Sequence, residues 1–566
     1  GGTWSVIAGA DTVAVDSGSF SWNVSGLPLG QFYRVKGTSN QDPIVHDESQ
    51  FDFATGRTFY VNDSSTANDV WCTEPGNDLN DGRTPATPKA TIQAVIDAYD
   101  LEPGDVVRVD TGTYNLSSNV TVGVSDSGSS AAKVVFQGSP NGTVLDRGGT
   151  ASGRYGFVLS STSYVQISGF EIQQAYGAVQ LSSAAQSDVS GNILRNNVRG
   201  IEFSNGSVLL HHNVIAGNTY GAYVSDWSGG SLTVENNTFV GNSTAGLYTG
   251  NNVGGVVSLK NNIFRQAGGG HAIYWSYYSG SYPGINSSDY NLYWTTDGAQ
   301  LGYRAGQGTA TGLAAWRRVT GFDTHSLSRD PLFVDESGGD YHLQNGSPGI
   351  DTGYGDAGSE PAPNSTPLHG ANLGQRDLGA YGGTVESTAT PAGRRLWLYE
   401  PAGGEHYLNR GTPVGIRWTW VGLDWESGDT LSWEYSANSG NTWTAIAAAD
   451  SVPGDAGSWS WDVSGLTPDQ FYRVRATPNQ APGVPEQSSG DFTIGQGFIY
   501  YVNDDSLSGD AWCTVVGSDA NDGRTPATPK ATIQAVIDAY DLEPGDVVRV
   551  DTGTYNLSSN VTVGVS

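Results

Sequence analysis

Residues 80–125 and residues 521–566 are the same 46 residues, NDGRTPATPKATIQAVIDAYDLEPGDVVRVDTGTYNLSSNVTVGVS, and the two copies begin 441 positions apart. A second repeat, which has diverged, relates residues 3–53 to residues 442–492 with an offset of 439. A recurring period constrains the fold more than any single motif, because repeated segments must build repeated structural units. The chain is therefore expected to follow the pattern of a tandem array.

The two repeats predict two kinds of module that alternate along the chain. The first and the last segments of the chain each match only part of a module. We therefore expect the chain to be one segment of a longer polypeptide. The four expected segments are the C-terminal part of a sandwich module at residues 1–57, a coiled module at 58–390, a complete sandwich at 391–497, and the N-terminal cap and first coil of the next coiled module at 498–566.

The charge balance restricts the partners of the chain. Acidic residues outnumber basic residues 57 to 27, which gives a formal net charge of −30. Such a charge argues against nucleic acid and anionic membrane surfaces as partners. The sequence has no apolar run that could span a bilayer, so we expect no membrane span in this segment. Each repeat has one cysteine, Cys72 or Cys513, so no disulfide is expected within a repeat, and both thiols are expected to be buried.

One segment and its copy predict an amphipathic helix. Thr87 and Pro88 are suited to the N-cap and the first turn of a helix. The apolar residues that follow at helical spacing are Ile92, Val95, Ile96 and Tyr99. Residues 103–104, Pro-Gly, predict its end, and residues 106–109 predict a strand. A single helix before many strands suits a lid over the open end of a solenoid.

After this helix the chain repeats at a shorter period of 21 to 25 residues. The landmarks are Phe170, Asn192, Asn213, Asn237 and Asn262. Two residues after each landmark comes an apolar residue, which strand alternation places in the interior: Ile172, Leu194, Ile215, Phe239 and Phe264.

Recurring polar residues mark the corners of these coils. A second asparagine recurs at Asn197, Asn218 and Asn242, and a glycine at Gly200, Gly221 and Gly246. We expect the asparagines to adopt the left-handed conformation and to bond to the asparagine of the next coil, and the glycines to form the next corner. Strand–corner–strand units of this length without helices predict a right-handed parallel β-helix, so the fold class is all-β.

Residues 395–497 predict a different all-β module. Short alternating strands, separated by Gly, Asn and Pro, are typical of an immunoglobulin-like β-sandwich, with the tryptophans filling its core. The predicted strands lie at 414–418, 431–435, 443–445, 459–463 and 471–474.

Several stretches resemble known β-helix proteins. Residues 60–114, which begin YVND and end VRVDTGTY, are similar to the N-terminal cap and first coil of pectate-lyase-like β-helix proteins. Residues 325–353 (HSLSRDPLFVD to GSPGIDTG) and 372–384 (NLGQRDLGAYGGT) resemble the closing coils of large bacterial β-helix surface proteins. The resemblance implies the fold of residues 58–390. It does not imply an activity, because the family includes lyases, hydrolases and inert scaffolds.

Outward positions of neighbouring coils form columns. One column comprises Ser168, Ser190, His211, Glu235 and Lys260. It is either a general acid/base site or a solvated ladder with a Glu235–Lys260 ion pair, and the ladder is favoured because no second carboxylate is recognised on an adjacent coil.

A second column is aromatic. It contains Glu202, Tyr223 and Tyr248, with Tyr274 and Trp275 beyond them, and Trp227, Tyr277, Tyr278 and Tyr282 fall near the same end. Stacked aromatic rings suit a sugar ligand, a stabilising ladder or a face buried against another copy, and the sequence does not choose among them.

A polysaccharide lyase resembling this fold would need clustered carboxylates for calcium and a basic residue beside them. The available bases are Arg195, Arg199, Lys260 and Arg265, but the aligned coils lack the carboxylate cluster. Calcium has one other candidate, a turn with acidic and amide oxygens that is also ordinary turn chemistry. Its residues are Asp78, Asn80 and Asp81, repeated as Asp519, Asn521 and Asp522.

These observations favour a structural hypothesis. We expect a segment of a giant extracellular cell-surface protein without enzymatic activity, whose copies associate along and between fibres as a filament, sheath or adhesive stalk (an adhesin). The alternative is a calcium-dependent polysaccharide lyase or a glycan-binding module.

Overall fold

The structure, a computed structural model, describes residues 4–7, 10, 13, 20, 22, 32–41, 46–48, 53–54, 56–225, 229–250, 255–276, 284–355, 359, 375–542 and 545–563. The chain divides into two compact units, and each is described by itself. The first unit comprises Gly1–Ser258 with Ser279–Asn286, and the second comprises Leu259–Tyr278 with Ser287–Ser566.

Short β-strands dominate both units. Before residue 58 lie β1 (Phe32–Tyr33), β2 (Lys36–Thr38), β3 (His46–Glu48) and β4 (Phe53–Ala54). The coil strands up to residue 250 are β5 (Thr58–Val61), β6 (Val106–Val109), β7 (Gly112–Asn115), β8 (Val120–Val122), β9 (Val134–Gly138), β10 (Thr143–Asp146), β11 (Tyr155–Ser160), β12 (Val165–Ser168), β13 (Phe170–Gln173), β14 (Gly177–Ser182), β15 (Ala184–Ser190), β16 (Ile193–Arg195), β17 (Arg199–Phe203), β18 (Gly206–His211), β19 (Val214–Ala216), β20 (Tyr220–Val224), β21 (Gly230–Glu235), β22 (Thr238–Val240) and β23 (Ala245–Thr249).

The remaining strands follow in chain order. They are β24 (Val256–Lys260), β25 (Ile263–Ala267), β26 (His271–Trp275), β27 (Ile285–Asp289), β28 (Leu292–Thr296), β29 (Gln300–Arg304), β30 (Gly308–Ala310), β31 (Leu327–Ser328), β32 (Phe333–Asp335), β33 (Asp340–Leu343), β34 (Arg395–Glu400), β35 (His406–Tyr407), β36 (Val414–Val421), β37 (Thr430–Ser436), β38 (Thr444–Ala445), β39 (Val452–Pro453), β40 (Ser458–Trp461), β41 (Asp469–Pro478), β42 (Glu486–Gln487), β43 (Phe492–Ile494), β44 (Ile499–Val502) and β45 (Val547–Val550). The helices are α1 (Ile92–Ala98), α2 (Leu313–Thr320) and α3 (Ile533–Ala539), with short 3₁₀ turns at Val124–Asp126 and Gly454–Ala456.

In the first unit, three parallel sheets are built from strands one coil apart. Sheet 1 contains β5, β6, β9, β12, β15, β18 and β21; sheet 2 contains β7, β10, β13, β16, β19 and β22; sheet 3 contains β8, β11, β14, β17, β20 and β23. This is the topology of a parallel β-helix, as the sequence predicts. The predicted interior register is also confirmed, because Ile172, Leu194, Ile215 and Phe239 lie side by side and are completely buried.

The corners of the coils differ from the prediction. The left-handed residue is the one before each landmark, with φ of 76° at Gly169, 63° at Gly191, 55° at His212 and 52° at Asn236. The landmark asparagine instead lies in the interior and bonds to the next coil: the Asn192 backbone N–H and side-chain amide both donate to Oδ1 of Asn213, each at 3.0 Å.

The second asparagines behave in the same way. The left-handed residues are those before them, Asn196, Gly217 and Gly241, with φ of 57°, 64° and 57°. The Asn197 backbone N–H donates to Oδ1 of Asn218 at 2.9 Å, and the Asn218 amide donates to Oδ1 of Asn242 at 3.1 Å. The ladder is therefore confirmed, and the assignment of Asn197, Asn218 and Asn242 to the left-handed position is wrong.

The recurring glycines are not corners. Gly200, Gly221 and Gly246 lie within strands β17, β20 and β23. A Cβ at Gly200 would lie 2.5 Å from the carbonyl oxygen of Gly221, and a Cβ at Gly221 would lie 2.4 Å from that of Gly246. Glycine is required there by the close approach of successive coils rather than by a turn.

Helix α1 forms a cap, but it begins later than predicted. Its N-cap is Thr91, whose hydroxyl accepts from the backbone N–H of Ala94 at 3.2 Å. Thr87 is instead part of a turn in which its hydroxyl donates to Asp81 at 2.7 Å. The apolar face predicted for the helix is confirmed in part, since Ile92 and Val95 are buried.

In the second unit, further coils stack in the same way. Strands β25, β28 and β31 are parallel neighbours, β26 pairs with β29 in parallel, and β30 closes that sheet as an antiparallel strand. Helix α2, which the sequence did not predict, packs its buried Trp316 ring against the backbone of Gly302, where a Cβ would lie only 2.5 Å from the ring. The N-cap of α2 is Gly312, which makes no side-chain capping bond, so the usual polar signal for the start of a helix is absent.

Residues 395–494 form two sheets around one hydrophobic core, which is compatible with a β-sandwich. One sheet has the order β34–β36–β40 and the other β35–β43–β41–β37–β38, with β39 and β42 beside it. Tryptophans fill this core as predicted: Trp418, Trp420, Trp425, Trp433 and Trp461. The immunoglobulin-like topology stays a prediction, and most of the sandwich predicted at residues 1–57 lies outside the described residues.

The copy of the cap at the end of the second unit repeats the first in detail. Thr532 caps α3 as Thr91 caps α1, and β44 pairs in parallel with β45. Cys72 and Cys513 are free thiols, each 7% exposed, as expected. Burial raises the pKa of Cys513 to about 12. Of the helices in the described residues, none has the length and apolarity needed to span a membrane.

Candidate functional site

The first predicted column lies on the outward face of sheet 1. The register places Ser168 beside Ser190, Ser190 beside His211, and His211 beside Glu235. In the second unit, the Lys260 ammonium lies 4.1 Å from the ring centroid of Tyr354. The Glu235–Lys260 ion pair stays a prediction.

A carboxylate that the sequence alignment missed lies beside His211. Asp188 is on the coil before it, and its Oδ1 lies 2.8 Å from Nε2 of His211 while its Oδ2 lies 2.9 Å from the Lys133 ammonium. The expectation that no carboxylate occupies an adjacent coil is therefore wrong. Asp188 is offset by two residues from the aligned column, so aligning a second outward position of each strand would have found it.

The electrostatics of this network favour the ionised carboxylate. Burial raises the pKa of Asp188, but hydrogen bonds from His211 and Lys133 outweigh it and hold the pKa below its ordinary value. The carboxylate side chain is 10% exposed and the His211 side chain 24% exposed. Asp188 is thus committed to two cationic or donor partners, which makes it a positioning group rather than a free base.

A groove of about 500 Å³ lies beside this network on the first unit. Its walls are rich in hydroxyl groups and include Lys133, Tyr164 and Gln186. The hydroxyl-bearing residues are Ser129, Ser130, Ser187, Ser207, Ser231 and Thr233. Such a surface offers many hydrogen bonds and few charges, which suits a polyhydroxylated ligand.

The second column is confirmed on sheet 3 of the first unit. Glu202 lies beside Tyr223, and Tyr223 beside Tyr248. The rings of Tyr223 and Tyr248 are stacked with centroids 4.9 Å apart and planes 6° from parallel, and Tyr220 packs edge-on against both. We call Tyr155, Tyr176, Arg199, Glu202, Tyr220, Tyr223 and Tyr248 the tyrosine face.

Arg199 holds the tyrosine face together. Its guanidinium lies 3.8 Å from the ring centroid of Tyr223 and 4.9 Å from that of Tyr176, and it pairs with Glu202 at 2.8 Å. Glu202 also accepts from the Tyr155 hydroxyl at 3.0 Å. The face is therefore a closed cation–π and hydrogen-bond network whose charges cancel.

In the second unit, the other two aromatic candidates separate. Tyr274 is stacked on Tyr303 with centroids 4.6 Å apart, on the outward side of β26 and β29. Trp275 is only 2% exposed and lies in the interior, because adjacent residues of a strand face opposite sides. Its place in the outward column is therefore corrected. Trp227, Tyr277, Tyr278 and Tyr282 lie outside the described residues.

The three arginines among the bases considered for a lyase are engaged in ion pairs. Besides Arg199, Arg195 pairs with Glu171 at 2.5 Å, and in the second unit Arg265 pairs with Glu336 at 3.3 Å. A lyase base must be available to remove a proton, and a paired guanidinium is poorly suited to that role.

The predicted calcium turn is held by its own hydrogen bonds. Asp78 accepts from the backbone N–H groups of Ala90 and Thr91, each at 2.9 Å, and Asp81 accepts from the Thr87 hydroxyl. The Lys89 ammonium donates to the carbonyl oxygens of Asp78 at 2.9 Å and Asn80 at 2.8 Å.

The second copy of the turn repeats this arrangement. Lys530 donates to the carbonyl oxygens of Asp519 and Asn521, and Asp522 accepts from Thr528. In the part of the chain that the structure describes, no group of three or more His, Cys, Asp or Glu side chains is arranged to hold a metal ion. Calcium at these turns stays a prediction.

Residues 114–279 match the family described as right handed beta helix region. The fold is a right-handed parallel β-helix. With the coil topology, this match confirms the predicted fold class.

Three solved structures are similar to this chain. Pectate lyase Pel9A shares 16% identity over 58% of this chain and 96% of that chain, with a TM-score of 0.32. A GH136 lacto-N-biosidase from Eubacterium ramulus shares 12% identity over 43% of this chain and 65% of that chain, with a TM-score of 0.23. A mannuronic acid specific polysaccharide family 6 lyase from human gut microbiota shares 11% identity over 41% of this chain and 83% of that chain, with a TM-score of 0.17.

At these identities the likeness concerns the fold alone. No curated protein gives a significant match to the sequence.

Proposed function

We propose that this chain is a segment of an extracellular structural protein in which β-helix and sandwich modules alternate to form a fibre, sheath or adhesive stalk at the cell surface. The observation that carries the proposal is that, within the second unit, successive modules meet in packed joints, while the sequence repeats both kinds of module. A fibre that bears mechanical load needs rigid joints between its modules.

The first joint links the last coils of the β-helix to the sandwich. Arg317, at the end of α2, donates to the carbonyl oxygens of Asp323 at 2.8 Å, Ser326 at 2.9 Å and Tyr399 at 2.7 Å. Tyr399 lies on strand β34 of the sandwich, so one guanidinium ties three chain segments together. A guanidinium has five donors in a rigid plane, which suits it to this role.

A second contact reinforces the same joint. Arg329 forms an ion pair with Glu486 of the sandwich, and the Ser489 hydroxyl donates to the carbonyl oxygen of Ser328 at 3.2 Å. Burial raises the pKa of Glu486, and the charge of Arg329 opposes that effect. The contact therefore stabilises the joint as long as both partners are present.

The second joint links the sandwich to the next cap. The Gln470 side-chain amide donates to the Tyr500 hydroxyl at 2.8 Å and to the carbonyl oxygen of Asp541 at 3.1 Å. Arg524 pairs with Asp469 at 3.1 Å. Two adjacent residues of the sandwich thus make polar contacts with the cap.

The second joint also has an apolar part. The Phe471 ring lies 6.2 Å from that of Tyr540, and the guanidinium of Arg524 lies 5.4 Å from the Phe471 centroid. A ring packed against both an aromatic and a cation resists bending of the joint.

The sequence places part of the same joint in the first repeat. On the cap, Arg83, Tyr99 and Asp100 correspond to the second-copy residues at 524, 540 and 541, which are 441 positions later. On the sandwich, Gln31 and Phe32 correspond to those at 470 and 471, which are 439 positions later. Gly30 and Phe59 replace Asp469 and Tyr500, so the ion pair and the bond to the tyrosine hydroxyl do not recur. The residues of the apolar contact recur, which supports an array built from one kind of connection.

Electron microscopy of the native material tests this proposal. We expect elongated assemblies with a regular axial spacing that matches one β-helix and sandwich pair, and no turnover of uronate-type glycans. Isolated single particles with depolymerising activity would overturn the proposal. Material cleaved into single modules by limited proteolysis is the control, and it should show no regular axial spacing.

A glycan-binding role is the second candidate, favoured by the hydroxyl-lined groove and by the tyrosine face. Polyuronates incubated with the chain, with and without calcium, test both binding and lyase activity. Calcium-dependent binding that is lost on Ser207→Leu would support this candidate at the groove, and its loss on Tyr223→Ala would place it on the tyrosine face. The absence of binding in both conditions would reject it.

A further inference from the structure

Two imidazole rings converge beside the Asp188 network. Nδ1 of His211 lies 2.5 Å from Nδ1 of His212, and the two rings meet edge to face with centroids 4.8 Å apart. His211 points outward from the last position of β18, and His212 occupies the corner that follows. Neighbouring residues of one strand would face opposite sides, so it is the corner that brings the two rings together.

His212 occupies a left-handed corner. Its φ is 55°. The same corner is occupied by Gly191 on the preceding coil and by Asn236 on the next. Histidine, like asparagine, is enriched at positive φ among residues that have a Cβ. The corner therefore accepts histidine and fixes the position from which the second imidazole extends.

Asp188 favours one tautomer of the first ring. Its Oδ1 lies 2.8 Å from Nε2 of His211, an ion-pair distance at which the ring N–H is not aligned for a hydrogen bond. A carboxylate oxygen only accepts, so a proton on Nε2 is the form of a neutral ring that this contact favours. The lone pair of Nδ1 is then directed toward His212. Lys133 holds the other carboxylate oxygen at 2.9 Å and keeps Asp188 in place. A carboxylate that orients a histidine through its distal nitrogen is the usual support of a histidine that binds a metal.

We infer that His211 and His212 bind one divalent transition-metal ion through their Nδ1 atoms, with Asp188 as the positioning residue. Imidazole nitrogens favour Cu²⁺, Ni²⁺ and Zn²⁺ over hard cations such as calcium. Metal–nitrogen bonds of about 2.0–2.1 Å place two nitrogens about 3 Å apart, so the rings separate slightly when the ion binds. Glu235 occupies the register position beside His211 on the next coil. Within the described residues the two imidazoles have no third His, Cys, Asp or Glu ligand beside them.

The site is distinct from the calcium turn and from the tyrosine face. Its donors are nitrogens on sheet 1 of the first unit, next to the hydroxyl-lined groove. Water completes the coordination, since two imidazoles leave positions open. A ligand in the groove could reach such an open position, which would link metal and ligand binding at this face.

Titration of the metal-free chain with Cu²⁺ tests the inference. Calorimetry should show one binding site of highest affinity, and electron paramagnetic resonance should show two coordinated nitrogens. His212→Asn keeps a residue that the corner accepts, so the coil should still fold while the affinity falls at least about tenfold and one nitrogen is lost. His211→Ser, which copies the residue at the same position of the preceding coil, should have the same effect.

Two further variants distinguish a metal site from a pair of hydrogen-bonded rings. Asp188→Asn should weaken binding about 10- to 100-fold and retain two nitrogens, as expected for a positioning residue. His325→Gln is the matched control, because His325 also bonds to a carboxylate, that of Asp289 at 2.7 Å, and should leave binding unchanged. The inference is overturned by no binding, or by unchanged affinity and nitrogen count in His212→Asn, either of which would leave the two rings joined only by their hydrogen bond.

Discussion

At the scale of residues, the asparagine ladder explains how a β-helix can turn sharply without losing backbone hydrogen bonds. Asn213 is completely buried. Its amide donates to the carbonyl oxygens of Val189 at 2.8 Å and His211 at 2.9 Å, and its Oδ1 accepts from Asn192. One side chain thus satisfies backbone groups of its own coil and of the preceding coil, which a buried corner requires.

Replacing Asn213 by leucine should destabilise the coils around it. The variant leaves several buried donors and acceptors without partners, each costing about 1–3 kcal/mol. We expect hydrogen–deuterium exchange to increase in strands β15 to β19. Asn141→Leu is the control, because Asn141 is exposed, and it should leave this exchange unchanged. Equal protection in both variants would contradict the role of the ladder.

A buried carboxyl group in the second unit should make stability depend on pH. Asp351 is 2% exposed, and burial raises its pKa to about 6. An unfolded aspartate has a pKa of about 3.9, so the folded pKa is the higher one. The stabilisation is then fully present below pH 4 and is lost as the pH rises through about 6.

The free energy of unfolding of the second unit should therefore decrease by about 3 kcal/mol between pH 4 and pH 8. Urea denaturation at a series of pH values measures it. Asp351→Asn cannot ionise and should remove this part of the pH dependence. An unchanged pH profile in the variant would show that the carboxyl group does not titrate in this range.

The sequence predicted the ladder better than the corners, for a physical reason. Asparagine recurs at the ladder positions because its amide is needed there, and that pattern is visible in a single chain. The left-handed corner only requires that a residue tolerate positive φ, and it accepts Gly191, His212 and Asn236 alike. The Lys133–Asp188 contact was not predicted because it joins residues 55 positions apart in sequence.

At the scale of elements, the caps that contain α1 and α3 have the same local structure. In α1 and α3 a threonine hydroxyl accepts from the third residue of the helix, and an aspartate upstream accepts from the threonine N–H, at the same distance of 2.9 Å in both copies. The predicted helix is correct in part of its apolar face, Ile92 and Val95, and its true start is later than predicted. Thr87 and Thr91 are both plausible N-cap residues in the sequence. The hydrogen bonds of the preceding turn engage Thr87, so Thr91 becomes the N-cap.

Loss of the N-cap hydrogen bond should reduce the stability of α1 and of α3 equally. Thr91→Ala and Thr532→Ala should each reduce local stability by about 1 kcal/mol, because each removes one capping hydrogen bond. Hydrogen–deuterium exchange of the two helices, compared in the same chain, measures both effects. A loss confined to one helix would show that the surroundings, rather than the shared 46 residues, determine its stability.

At the scale of the whole molecule, the proposed array depends on joints rather than on any single site. Within the second unit, the sandwich is tied on one side through Arg317 and on the other through Phe471 and Arg524. The sequence predicted the modules and their order, because the spacing of apolar residues indicates which residues form the core of each module. It did not predict the joints, because the sequence pattern of their residues is the same as that of other surface residues, and only the contact between modules distinguishes them.

The most direct test measures the distance between the sandwich and the following cap. Spin labels at Ala447→Cys and Leu507→Cys, both exposed positions, report it by pulsed electron paramagnetic resonance. The native thiols are buried and should remain unlabelled. We predict one narrow distance distribution, which broadens when Phe471 and Arg524 are both replaced by alanine. A broad distribution in the unmodified joint would contradict the proposed array, because modules on a flexible linker cannot build a fibre of regular spacing.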